Sequence, residues 1–518
     1  MSSINAVDGT PGVANSNFTV KLLRGLWNFS GFVTSDCGTI ADLVSPRKYV
    51  ATPEAAVAAA VAGGTDWNCG KFYLDHIPDA VSAGLVTLDA LRAQAARFMT
   101  PVFALGLADD PAASPFASWG RERIDTPAAR ALALDGAISG IVLLRNDAPA
   151  GAARPVLPLD LSALSAVALV GPHVNATSAF LANYAGGTPL VEANTPFLRV
   201  LARARARGVA LLSAAGVPTP SSNDTSGIGA AVAAARAADV TVAFLGSSQV
   251  LEREGLDRDR TGLEPAQAAL LAALVAVGRP LVVVLVSGGA VSEAAAGAAG
   301  LVAAFYPGEL GGEALAALLL GEAPFTGRLP VTIFRADWAA RRAPTDMALA
   351  PHADAATGAA VPGATYWYAD DADVLFPFGH GLASTTWTLA WAGAPNATID
   401  AAAWAAGAAA PAFAVTLTNV GSVAAGASVL GFISSGRAGE PRAKLFDFER
   451  IGAVPPGGAA AATLRVGADV AALVTQDGAR VLTPGTYAVA VGGDAAGGGL
   501  AGVLVVTGAP TVLAELPF

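Results

Sequence analysis

Apolar and polar positions follow three regimes along the chain. Up to residue 107, short apolar runs end in small polar residues and give way to helical periods. "GFVTSD" (31–36) reads as a buried strand, and "TPEAAVAAAVAGG" (52–64) as a helix capped at Thr52. "TDWNCG" (65–70) reads as the end of the next strand or turn, and "TLDALRAQAARFMTPVFALGL" (87–107) as a further helix. Strands alternating with helices imply a parallel α/β sheet. Residues 108–120, "ADDPAASPFASWG", are rich in Pro, Ala and Ser and read as a linker.

From 121 to 385 the alternation is clearer. Thr126-Pro127 opens a helix with an N-cap and a proline in the first turn. "GIVLLRN", "AVALVG", "VTVAFLG", "LVVVLVSG" and "LVAAFYPG" are short β-rich apolar runs, as expected of strands covered on both faces. A mostly parallel sheet between helices is the expected domain. After 386, "AFAVTLTNVG", "ASVLGFISS", "AAATLRVG" and "GTYAVAVGG" alternate apolar with small or polar residues, with turn residues between them and no helical period. That pattern predicts an antiparallel β-sandwich over 386–518.

The longest apolar stretch, 269–287, is broken by Arg279-Pro280, so it reads as helix, turn and buried strand rather than a membrane span. The N-terminus has no basic region followed by an apolar core, so no signal peptide is visible. Charged residues are only 14 % of the 518, below the usual quarter, because alanine runs replace them. The net charge of −10 argues against nucleic acid, whose phosphates need clustered Lys and Arg. Five Asn-X-Ser/Thr sequons, at Asn17, Asn28, Asn175, Asn223 and Asn396, hint at a secreted protein.

Two acidic features could do chemistry. Asp36 ends the first apolar run, and in parallel α/β folds functional groups gather at the carboxyl ends of strands. It could attack a sugar's anomeric carbon, or it could cap a helix beginning near Thr39. The second feature is "SSQVLEREGLDRDR" (247–260), directly after "VTVAFLG", with Glu252, Glu254 and Asp257 among three arginines. Retaining glycoside hydrolysis needs two carboxyl groups, one nucleophile and one acid/base. A solvated loop of alternating charge is the other account. His76, His173, His352 and His380 show no metal-ligand spacing, and no P-loop, dinucleotide fingerprint or serine elbow appears in its required context. No cofactor or metal is expected.

"MSSINAVDGTPGVAN", "GFVTSDCGTIADL", "GIVLLRN", "LEREGLDR", "YPGELGGEALAALLLGEAPFTGRLPVT" and "LFPFGHGLASTTW" occur in this order. Together they resemble glycoside hydrolase family 3, in its β-xylosidase/α-L-arabinofuranosidase branch. The resemblance implies a (β/α)8 barrel, an α/β sandwich and a fibronectin type III-like β-sandwich. Here they would be a C-terminal part of the barrel (1–107), the sandwich (121–385) and the last domain (386–518). It implies a retaining exo-glycosidase acting on the end of an oligosaccharide or polysaccharide. Asp36 would be the nucleophile and Glu252 the acid/base, with Glu254 as second choice. Trp67, near the next strand end, could flank the sugar or simply pack inside its domain. Cys37 and Cys69 would pair in a disulfide, the alternative being two unpaired thiols, and the complete protein would be extracellular or in the secretory pathway. A whole barrel takes about 200–250 residues, so its first strands have no counterpart here, and Ser2 and Ile4 stand where the branch has Cys and Tyr. The expectation is that this chain alone turns over slowly or not at all. A non-catalytic carbohydrate-binding remnant, or an incomplete gene model, is the competing reading.

Overall fold

The computed structural model describes residues 1–185, 194–293 and 295–515. The chain divides into two compact units. The first comprises residues 1–124 with 476–479 and the last stretch from Ala514, and the second takes the rest.

In the first unit three extended segments lie side by side. Ser2 bridges Ser35 and Thr34 bridges Trp67, both in parallel sense. Helix α1 (Pro53–Ala62) starts where Thr52 accepts the Ala55 amide at 3.2 Å, with Pro53 in the first turn. Helices α2 (Phe72–Ser82) and α3 (Leu88–Ala104) follow, the latter capped by Thr87. Val13, Ile40, Leu43, Val57 and Tyr73 form a small core. Residues 108–125, which include the expected linker, are exposed throughout and hold only short turns.

The second unit holds a six-stranded sheet: β1 (Val142–Asn146), β2 (Ala166–Val170), β3 (Ala210–Ala214), β4 (Val240–Gly246), β5 (Leu281–Val286) and β6 (Gly300–Ala303). Their order is β1-β6-β5-β4-β2-β3, all parallel except β1, which runs against β6. The apolar runs are continuous because alternate residues enter different cores. Val240, Val242 and Phe244 join one, while Ala243 and Leu245 join the other, under helices on the opposite face. The stretch 269–287 is the end of a helix (Pro265–Val275), a turn and β5. Among the described residues no helix is long and apolar enough to cross a membrane.

Gly312, in "GELGGEAL", is required by a close approach, since a Cβ there would fall 1.6 Å from the Asn194 carbonyl oxygen. Beyond it, two sheets form a β-sandwich. One pairs Trp387–Trp391, Ala412–Asn419 and Ala459–Arg465. The other orders Asn396–Asp400, Gly497–Thr507, Gly485–Asp494, Ala425–Ser434 and Lys444–Val454. Phe413, Leu417, Val489 and Leu504 meet between them. Two short helices, Ala401–Ala405 and Ala468–Ala471, interrupt a region read from sequence as free of helical period. Each is a single turn, too short to show one.

Candidate active site

Asp36 follows an extended segment tied on both sides. The Ser35 amide donates to the Trp67 carbonyl at 2.8 Å, and the Asp36 amide donates to the Ser2 carbonyl at 3.2 Å. Ser35 is fully buried and its hydroxyl accepts the Cys69 amide at 3.0 Å. Cys37 and Cys69 are joined by a disulfide with Cα atoms 4.5 Å apart. The half-buried Asp36 carboxylate accepts the Cys37 amide at 2.7 Å. The one-turn helix Thr39–Asp42 starts from Gly38 without a side-chain cap, and it is the Asp36 main-chain carbonyl that receives the Thr39 amide. The carboxylate is therefore not spent on capping.

Asp66 has its side chain wholly buried. Arg24 and Arg97 both pair with it, Arg97 Nε at 2.7 Å, and the Val33 amide donates to it at 2.8 Å. Sequence reasoning missed this centre because the arginines lie 42 and 31 residues away. It anchors the segment leading to Asp36 and joins it to α3. Trp67 stacks on Phe98 of α3, ring centroids 4.2 Å apart, beside an apolar cavity of 640 Å³ lined by Leu74, Ile77 and Met99. That contact occupies one face of the ring, and Trp67 stays exposed.

In the second unit the chain leaves β4 into the loop 247–264. Glu252 is held from three directions. Its Oε1 accepts the Tyr306 hydroxyl at 2.7 Å and the Gly288 amide at 2.6 Å, and its Oε2 meets Arg258 Nε at 3.0 Å. Burial, then the bond to Glu252, raise the Tyr306 pKa, so its hydroxyl stays a proton donor to that carboxylate. Arg253 and Leu256 exchange two backbone hydrogen bonds of 3.0 Å. They close a two-residue turn with Glu254 and Gly255 at its tip, and Gly255 takes φ +73° as the second turn residue must. Glu254 is exposed. The loop is thus not merely solvated charge, because one carboxylate anchors it and another is displayed by it. Asp257 is exposed.

His173 follows β2 and is 1 % exposed. Its Nε2 and the nearby Ser247 hydroxyl are buried without hydrogen-bond partners among the described residues. Of the sequons, Asn28, Asn175, Asn223 and Asn396 are exposed and Asn17 is half-buried. No cluster of three or more metal-ligating side chains occurs among the described residues.

Residues 141–384 match the model of the glycosyl hydrolase family 3 C-terminal domain. The probable exo-1,4-beta-xylosidase bxlB of Aspergillus fumigatus is 33 % identical over 516 residues, covering 95 % of this chain and 63 % of the relative. Beta-D-xylosidase 1 of Arabidopsis thaliana is 34 % identical over 411 residues, covering 77 % of this chain and 50 % of the relative. The solved GH3 exo-beta-xylosidase XlnD, in complex with a xylobiose aziridine activity-based probe, superposes with a TM-score of 0.89 at 28 % identity, covering 99 % of this chain and 66 % of that one. A β-glucosidase from Listeria innocua in complex with isofagomine, 21 % identical with a TM-score of 0.81, shares the fold, covering 98 % of this chain and 68 % of that one. The chain spans between half and a little under two thirds of the length of the curated relatives it matches.

Proposed function

The chain belongs to glycoside hydrolase family 3, and from that membership we propose that it carries the reacting carboxylates of a retaining exo-β-xylosidase. The observation that carries this reading is the placement of Asp36. It directly follows a parallel extended segment, is tethered through the Cys37–Cys69 disulfide, and keeps its carboxylate out of helix capping. Asp36 attacks the anomeric carbon as the glycosidic C–O bond breaks, giving a xylosyl ester. A protonated glutamic acid hands its proton to the departing oxygen. Water then attacks the ester carbon, returns a proton to that glutamate and frees Asp36.

For the acid/base we choose Glu254 over Glu252, reversing the preference drawn from sequence. Both oxygens of Glu252 already serve as acceptors, so neither is free to collect a proton and pass it on. Glu254 stands exposed at the tip of the turn that Glu252 braces. Glu252 is then a positioning residue. The disulfide suits an oxidising compartment, and we place the protein on the secretory route.

The test joins this chain to the N-terminal third of the A. fumigatus relative and measures release from aryl β-xyloside, α-L-arabinofuranoside and β-glucoside. The β-xyloside is expected to turn over fastest. Asp36→Ala abolishes turnover, and Glu254→Gln lowers kcat by about 10²–10⁴-fold. Azide restores Glu254→Ala by replacing water as nucleophile. Equal turnover by Asp36→Ala would overturn the reading. The chain by itself is expected to stay far below an ordinary enzymatic rate of about 1–1000 per second.

A further inference from the structure

The apolar cavity of the first unit is a groove beside an open strand edge. Its volume is about 640 Å³. Residues 66–70 supply its floor, and helices α2 and α3 supply its walls. All of it lies within the first unit.

In a parallel pair, one residue's amide and carbonyl both point to the same neighbouring strand, and those of the next residue point away from it. The Trp67 amide donates to the Val33 carbonyl at 3.1 Å, and the Trp67 carbonyl accepts the Ser35 amide at 2.8 Å. Cys69 keeps the same side, its carbonyl accepting the Gly38 amide at 3.4 Å. Asn68, between them, faces the groove. It is 6 % exposed, yet its amide and carbonyl have no backbone partner among the described residues. Its side chain is already engaged, accepting the Tyr73 amide at 3.1 Å and donating to the Ser35 hydroxyl at 3.4 Å. Nearly buried peptide groups of this kind call for a partner.

The walls are apolar. Leu74, Ile77 and Pro78 line the groove from α2, and Leu91, Ala95 and Phe98 line it from α3. Spacings of three and four residues put each set on one side of its helix. Leu74 and Met99, both at the groove, are exposed. An occupant must therefore bring apolar side chains together with backbone amides and carbonyls, which is the chemistry of an extended peptide strand added to a sheet edge. A second copy of this chain would bring its own two helices into the space between these two, whereas a single strand fits there. Strands of parallel sheets are apolar on both faces because helices cover both. The match takes in 63 % of the A. fumigatus relative and 66 % of XlnD, so about a third of each has no counterpart in this chain.

We propose that this groove docks a parallel apolar strand from the N-terminal third of a family relative, supplied as a separate polypeptide, so that the first unit is completed in trans. The proposal rests on family membership and not on the roles given to Asp36 and Glu254.

To test it, the N-terminal third of the A. fumigatus relative is joined to this chain through a protease-cleavable linker, so that the two fold as one, and the linker is then cut. The pieces are expected to stay associated one to one on dilution. The Asn68 amide should exchange its hydrogen more slowly in the complex than in this chain alone. Leu74→Asp and Met99→Asp should each loosen the association by about tenfold, and Leu74→Met should keep it. Both side chains are exposed in this chain, so neither substitution removes a buried contact from the unit. Separation on cutting, unchanged association in both Asp variants, or unchanged exchange at Asn68 would each overturn the proposal, as would two copies of this chain pairing through the same edge. Aryl β-xyloside turnover is read from the same cut complex. Tight association without turnover supports the docking and counts against the catalytic reading alone.

Discussion

Acidification should weaken the second unit through one residue, His173. Burial pushes its pKa down from 6.5 to about 4, with a hydrogen bond to the Ser247 backbone offsetting part of the effect. Unfolded, the imidazole takes a proton as pH falls through 6.5. Folded, it refuses that proton until about pH 4. Between these values the unfolded chain binds more protons, so stability falls as pH falls and levels off below 4. A tenfold change in proton affinity corresponds to about 1.4 kcal/mol, so this residue removes about 2 kcal/mol between pH 7 and pH 5 and about 3 in all. The assay is hydrogen exchange of the β4 amides at pH 7 and pH 5, which reports opening of this unit. Carboxylates also titrate, so the parent is compared with His173→Leu and His173→Gln, which cannot protonate there. Both variants should lose about 2 kcal/mol less than the parent over this interval. Equal losses in parent and variants would refute the argument, since the imidazole would then be neutral, or charged, in both states alike.

Two further predictions concern the first unit. Reducing Cys37–Cys69, which closes a separation of 32 residues, should cost about 3–4 kcal/mol on the loop-entropy estimate, read from urea unfolding with and without reductant. Arg24→Ala leaves the wholly buried Asp66 with one cation instead of two. A loss of about 3 kcal/mol is expected by the same assay, with Arg24→Ala/Asp66→Asn recovering part of it. An unchanged midpoint in Arg24→Ala would show the pair to be dispensable.

Several features were legible in the order of residues. The runs at 240–246 and 281–286 are rich in β-branched and apolar residues, and both became central strands buried on two faces. Thr52 and Thr126 announced helices because capping is a contact over three residues. Other strands escaped notice. Ala210–Ala214 lies at a sheet edge with a partly exposed, weakly patterned sequence, and Lys444–Val454 carries charged residues on its outward positions. The reversed direction of β1 was also invisible, since an apolar run has no sign.

The sequence by itself pointed to the family, to the alternation of strand and helix, and to Asp36, Glu252 and Glu254 as candidate reacting groups, because these readings depend on residue order and short-range periodicity. Only the folded chain decided which carboxylates have partners. Glu252 meets Tyr306 across 54 residues, and Asp66 meets Arg24 across 42. Two glutamates two positions apart carry the same chemistry in sequence, and they differ only because tertiary neighbours occupy the oxygens of one and leave the other at the tip of a turn.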